Sequence, residues 1–182
     1  LVWRTPTSRR WFVGWVSRRY VAGSKLDDAV KVMHRLSKEG ACFTIDVLGE
    51  EISSMEEATF FLEEYKRVVT AIIDNDFDSN LSIKPTAFGL LLDREKGMEN
   101  IENLVRMAHG HDMFVRLDME DHRVTDDTIQ VMLEMHEKGL TNVGVVLQGR
   151  LFRTLDDIRN ITQKLGPNAD YRICKGIYLE PS

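Results

Sequence analysis

The sequence lacks any apolar run long enough to cross a bilayer, so nothing in it reads as a membrane span. It has only two cysteines, Cys42 and Cys174, far apart and without metal-ligand spacing. Each sits in an apolar run, which predicts buried free thiols in a reducing compartment. No glycine-rich turn follows the first strand pattern. Asp46-Val-Leu-Gly-Glu50 holds a single glycine, which excludes the dinucleotide-binding fingerprint. Nothing supports a serine or cysteine triad. Acid is missing from residues 1–25, which carry Arg4, Arg9, Arg10, Arg18, Arg19 and Lys25, so the net charge of −5 hides a more acidic body. An acidic body argues against nucleic acid as a main partner.

What is present begins with Trp3, Trp11 and Trp15, all the tryptophans of the chain, set among those arginines. The simplest reading is an N-terminal helix that packs its aromatics and leaves its arginines in water. Contact with anionic lipid and the remnant of a targeting peptide are the alternatives. Residues 1–23 are therefore set apart from a domain spanning 24–182.

At 182 residues and 43% hydrophobic, there is material for one core. From Ser24 the pattern alternates. Ser24 is placed to cap a helix to about Glu39, with Leu26, Ala29, Val30, Met33 and Leu36 on one face and Gly40 ending it. Cys42–Leu48 reads as a strand. Ser53 and Ser54 stand three residues before Glu56 and Glu57, a doubled capping-box signal. The helix after it is expected to bury Ala58, Phe61, Tyr65, Val68, Val69, Ile72 and Ile73. Leu81–Lys84 is a strand stopped by Pro85. A helix near Met98–Ala108, a strand Met113–Asp118, a helix Thr125–Lys138 closed by Gly139 and a strand Val143–Gln148 follow. A helix Thr154–Leu165 and a strand Tyr171–Cys174 complete the series. Apolar strands separated by helices predict a parallel α/β architecture.

The polar groups gather at strand ends: Asp46 and Glu50, Lys84, Asp118 with Glu120 and Asp121, Gln148, and Arg172 with Lys175. Phe114–His122 is the densest case, an apolar strand running straight into carboxylates. Convergence from many strands favours a parallel (β/α)8 TIM-type barrel over an open doubly wound sheet, and a full barrel takes about 250 residues. Five such units lead to the expectation of a barrel truncated after about five repeats.

Several chemistries stay open on these residues alone. Lys84 and Lys175 could form a Schiff-base nucleophile and its cationic neighbour. Asp118, Glu120, Asp121 and His122 could hold a hard metal, with Asp46 and Glu50 opposite. Ion pairing of Lys84 and Arg172 with Asp118 is simpler, and no metal is expected. His109 and His111 precede a strand, at the far side. His34 and His136 fall on helices and carry no role.

Read in order, the strand-end motifs resemble the proline dehydrogenase family, closest to its compact single-function bacterial type. The motifs are Arg19-Tyr-Val-Ala-Gly23, Asp46-Val-Leu-Gly-Glu50, Ser82-Ile-Lys-Pro-Thr86 with Gly89, Val115-Arg-Leu-Asp-Met-Glu-Asp121, Val143-Gly-Val-Val-Leu-Gln148 and Arg172-Ile-Cys-Lys-Gly-Ile-Tyr178. The resemblance implies FAD, and oxidation of L-proline to 1-pyrroline-5-carboxylate with electrons passed to a quinone. It implies catalytic roles for Asp118 and Arg172, substrate binding by Lys84 and Tyr178, and a gate at Glu50. It implies cofactor binding by Met119, Gln148, Arg172, Lys175, Gly176 and Ile177. Ile177 stands where the family commonly has alanine. A catalytically silent domain that uses the same fold for binding or scaffolding is the alternative. The expected location is cytoplasmic, or the mitochondrial matrix side in a eukaryote, with peripheral contact at the inner face of the membrane as a further expectation. Oligomeric state is left open.

Overall fold

Apolar positions every three to four residues, broken by short β-prone runs, fold into the expected alternation of helices and strands. The computed structural model describes residues 21–180 apart from Ser24, Glu50 and Glu51. The expected N-terminal helix, the Ser24 cap and the Glu50 gate lie outside the described residues. The chain divides into two compact units, Leu1–Cys42 and Phe43–Ser182.

In the first unit, helix α1 (Leu26–Ser37) starts from an extended Lys25 that makes no side-chain cap. Asp27 and Asp28 in its first turn and His34 and Arg35 in its last complement the helix dipole. Of its apolar stripe only Met33 is buried; Leu26, Ala29, Val30 and Leu36 are half-buried.

The second unit holds strand β1 (Phe43–Ile45), helix α2 (Met55–Asp74), β2 (Ser79–Ile83), a 3-10 turn (Pro85–Phe88) and α3 (Arg94–His109). Then come β3 (Val115–Leu117), α4 (Thr125–Glu137), β4 (Val143–Gln148), α5 (Thr154–Leu165), a 3-10 turn (Gly166–Asn168) and β5 (Tyr171–Cys174). All neighbouring strands are parallel, in the order β1-β2-β3-β4-β5. An open doubly wound sheet reverses direction at a switch point; this sheet grows one strand at a time to one side, the habit of a barrel wall. Five parallel strands thus form a half-barrel.

Four helices end alike, and that ending launches the next strand. Ala41 N–H donates to Leu36 O, Phe77 to Ile72, Met113 to Ala108 and Leu140 to Met135, at 2.9–3.2 Å. Each bond closes a Schellman-type turn through a left-handed residue: Gly40, Asp76, Asp112 and Gly139, with φ from 52° to 84°. At the start of α2, Ser54 accepts from Glu57 N–H while Glu57 reaches back to the Ser53 N–H and hydroxyl. The doubled signal is thus split: Ser54 caps the helix, and Glu57 returns to Ser53, one residue before the cap, and not to the cap's own N–H as in a capping box. The α2 stripe buries Leu62 in place of Phe61, and Ile73 is 36% exposed.

The sheet has two unlike faces. Leu81, Ile83, Val115, Leu117, Val143 and Val145 alternate toward one side and are 0% exposed. The other side is polar. Strand register aligns Ser82, Arg116 and Gly144, and two residues further on aligns Val146 with Arg172. Arg116 crosses over Gly144 to pair with Asp170 at 2.6 Å, and a Cβ on Gly144 would lie 2.6 Å from Asp170 O. The cysteines depart from expectation. Cys42, ahead of β1, is exposed, and Cys174 is half-exposed because it shares the polar face.

Candidate active site

The polar face opens at the C-terminal ends of the strands into a cavity of ≈ 270 Å³. Its floor and walls take side chains from β2, β3, β4 and β5. Continuing the register past Ser82↔Arg116 and Val146↔Arg172 sets Lys84, Asp118, Val146 and Arg172 side by side. Lys84, Asp118, Met119, Gln148, Arg172, Gly176, Ile177 and Tyr178 all line this cavity. Lys175 is exposed and is not among the lining residues; its carbonyl accepts from Arg150 N–H at 3.2 Å.

The ion pairs differ from expectation in one respect. Lys84 Nζ lies 2.7 Å from Asp46 Oδ2, so the carboxylate on Lys84 comes from β1 and not from β3 as expected. Asp118 Oδ1 instead accepts from Ser82 Oγ at 2.6 Å and from Arg172 at 3.2 Å. The reason is topological. Lys84 on β2 has β1 on one side and β3 on the other, and Arg172, two strands away from β3, reaches Asp118 across the small Val146. Each cation in the mouth thus has a carboxylate, and Arg172 stays half-exposed with donors to spare.

Three residues to which the sequence assigned no such role hold this arrangement. Ser82 is 3% exposed and orients Asp118. Glu120, 5% exposed, accepts from both the Thr86 N–H (2.9 Å) and the Thr86 hydroxyl, tying β3 to the turn after Lys84. Tyr65 Oη lies 2.9 Å from both Asp46 Oδ1 and Ser82 O and accepts from Val47 N–H at 3.1 Å. Burial, and then the charge of Asp46, push its hydroxyl pKa above the ordinary tyrosine range. Tyr65 lies within the apolar stripe of α2, and only its hydroxyl could have flagged it.

After β5 the chain forms a strap across β4. Gln148 Oε1 accepts from Ile177 N–H (3.1 Å) and Tyr178 N–H (3.2 Å), and its amide nitrogen faces Met119 O at 3.4 Å. Glu180 accepts from the N–H groups of Phe152 (2.7 Å) and Arg153 (3.1 Å) at the start of α5, a charge-assisted cap from 27 residues away. The strap seats Tyr178 between the cavity and a second, ≈ 600 Å³ cavity that shares Glu120 and Tyr178 as walls. Among the described residues, no three His, Cys, Asp or Glu side chains gather as a metal site; the acids Asp118, Glu120 and Asp121 after β3 each accept hydrogen bonds. Asp121 is one example, held below the usual carboxylate range by the Arg123 guanidinium.

The family model of proline dehydrogenase matches residues 29–181. The chain belongs to the proline dehydrogenase family. Proline dehydrogenase 1 of Bacillus subtilis (strain 168) is 36% identical over 164 residues, which cover 90% of this chain and 53% of that protein. Proline dehydrogenase of Deinococcus radiodurans is 33% identical over 171 residues, 92% of this chain and 54% of that protein. The chain spans about half the length of the curated relatives it matches. In fold it resembles proline utilization A from Bdellovibrio bacteriovorus inactivated by N-propargylglycine, with a TM-score of 0.82 at 22% identity over 93% of this chain and 21% of that one. It also resembles proline utilization A from Corynebacterium freiburgense, with a TM-score of 0.71 at 20% identity over 93% of this chain and 19% of that one. The proline dehydrogenase fold is thus shared in its β/α core. No helix among the described residues is long and apolar enough to cross a membrane.

Proposed function

We propose that this chain contributes the substrate-facing side of an FAD-dependent proline oxidation site, which converts L-proline to 1-pyrroline-5-carboxylate and passes the electrons to a quinone. The observation that carries the reading is the gathering of Lys84, Asp118, Arg172 and Tyr178 on one cavity at the strand ends in a chain of this family. Lys84 offers an ammonium to the proline carboxylate. Asp118 holds Arg172, which lines the cavity, through one oxygen. Tyr178 supplies a flat wall for the ring of the substrate.

The residues fit the ring end of a flavin. Met119, Val146 and Ile177 are apolar walls beside the fixed charge of Arg172, which favours electron density gathering near it. The cavity, at ≈ 270 Å³, lies just below the roughly 300–1,000 Å³ of small-molecule sites, so it suits a ring and not a whole dinucleotide. Met119, Gln148, Gly176 and Ile177 would hold the ring end, Gln148 by fixing the strap backbone, and Lys175 would meet the polar remainder. When bound, FAD would accept the two electrons that proline loses from its ring carbon and nitrogen as the C=N bond forms. Glu50 would close the mouth. The cytoplasmic side, with peripheral membrane contact near the quinone, is the setting this chemistry suits.

The 182 residues alone are proposed to be inactive, because the half-barrel leaves the cavity open on its β5 side, where the lining residue Ile177, just after β5, is 77% exposed. L-proline titration with flavin and dye-reduction readouts tests the reading: proline should bind weakly at Lys84, without turnover. A catalytically silent binding role would show binding that Lys84→Met leaves untouched.

A further inference from the structure

The pairing of β1 with β2 stops at Ile45↔Leu81, although both chains continue side by side. In this ladder Phe43 N–H donates to Asp78 O, one residue before its partner Ser79. The same rule would send Val47 N–H to Ser82 O. Neither group makes that bond. Val47 N–H donates to the Tyr65 hydroxyl at 3.1 Å, and that hydroxyl lies 2.9 Å from Ser82 O. A side-chain oxygen from α2 has been inserted into the ladder as a spacer.

The spacer has a second job. Tyr65 Oη is also 2.9 Å from Asp46 Oδ1, while Asp46 Oδ2 is 2.7 Å from Lys84 Nζ. The ring is 1% exposed and packs on Phe88 with centroids 5.4 Å apart, so the hydroxyl has no freedom to move. We propose that Tyr65 is a positioning residue for Lys84: its hydroxyl holds the β1–β2 ladder open and turns Asp46 so that the carboxylate fixes the Lys84 ammonium at the cavity. Burial keeps the hydroxyl protonated, and its single proton lies between two acceptors, Asp46 Oδ1 and Ser82 O, each at 2.9 Å. The role of Lys84 toward a substrate rests on the proposed proline reading, but the placement of Lys84 does not.

Without the hydroxyl, Val47 N–H and Ser82 O can close into an ordinary rung, which draws Asp46 away from Lys84. The charged groups facing Lys84 from neighbouring strands are Asp46 from the end of β1, Asp118 and Glu120 after β3, and Arg172 on β5. Only Asp46 is held by Tyr65. The test is the ¹H–¹⁵N signal of the Lys84 ammonium, assigned by its loss in Lys84→Met. Tyr65→Phe should speed exchange of the ammonium protons about tenfold, and Asp46→Asn should do the same. The double variant should show no further change, since both act on one contact. An unchanged Lys84 signal in a folded Tyr65→Phe protein overturns the proposal, as does full additivity of the two effects. Should Tyr65→Phe fail to fold, 3-fluorotyrosine at position 65 keeps the ring and makes the hydroxyl a stronger donor. It should shift the Lys84 signal, and an unshifted signal overturns the proposal equally. These readouts need no proline, so failure of the proline reading leaves them intact.

Discussion

Gly176→Ala should loosen the strap that carries Tyr178. Gly176 has φ +85°, and a Cβ there would lie 2.2 Å from Gln148 Oε1 and 2.5 Å from Gln148 Cβ. Two costs follow. A left-handed alanine costs roughly 1–2 kcal/mol. Displacing Gln148 breaks its bonds from Ile177 and Tyr178 N–H, each worth about 0.5–1.5 kcal/mol. The whole is about 2–5 kcal/mol if the strap stays seated. The strap lies at the end of the described chain and makes no ladder beyond Cys174, so it can detach at lower cost than the core can unfold. Global stability in urea should then fall by only part of this sum. The decisive assay is amide exchange at Ile177 and Tyr178, which should speed by at least an order of magnitude, with Phe152 and Arg153 following as Glu180 leaves them. Unchanged exchange at Ile177 and Tyr178 would refute the close approach of Gly176 to Gln148.

Two further outcomes rest on the helices. Glu102 is held below the usual carboxylate range by the Lys138 ammonium first and then by Arg106, a contact that joins α3 to the end of α4. A lowered folded pKa stabilises above the unfolded value and is lost as pH falls through the folded one. Glu102→Gln should therefore cost about 0.5–1 kcal/mol at pH 7 and progressively less as pH falls below the usual carboxylate range and through the folded value, read from urea midpoints at each pH. A difference that does not shrink as pH falls would show a packing effect instead. Asp112→Gly should stabilise by about 0.5 kcal/mol, since relief of left-handed strain slightly exceeds the added chain entropy; a lower melting temperature would show that Asp112 does more than turn the chain.

Much of the fold was legible because long periodic segments carry strong signals. The bounds of β4, α5 and β5 match expectation residue for residue. β1 is shorter than its apolar run because the Tyr65 hydroxyl enters the ladder, an event set by a residue about 20 positions away. Phe61 and Leu62 exchange roles because adjacent apolar residues on α2 leave the helix phase ambiguous until the sheet is present. Within the site, strand-end position told which residues meet, since alternation and strand order fix the row Lys84, Asp118, Val146 and Arg172. It did not tell which carboxylate takes which cation. That choice depends on Val146 being small enough for Arg172 to pass and on Tyr65 turning Asp46. Ser82 was read only as part of a strand, because a serine on a polar face gives no sign of the acid it meets.

The most direct measurement is a titration of L-proline into the ¹⁵N-labelled chain, with flavin absorbance and proline-dependent dye reduction recorded on the same sample. Shifts should gather at Lys84, Asp118, Arg172 and Tyr178, with an affinity of about 1 mM, worth about −4 kcal/mol, and should vanish in Lys84→Met. Flavin should fall well short of one per chain, and no dye should be reduced. Absent shifts up to tens of millimolar (roughly ten times the expected Kd), or shifts that survive Lys84→Met, would contradict the assignment of the cavity to proline. Stoichiometric FAD with turnover would contradict the proposed inactivity of the 182 residues.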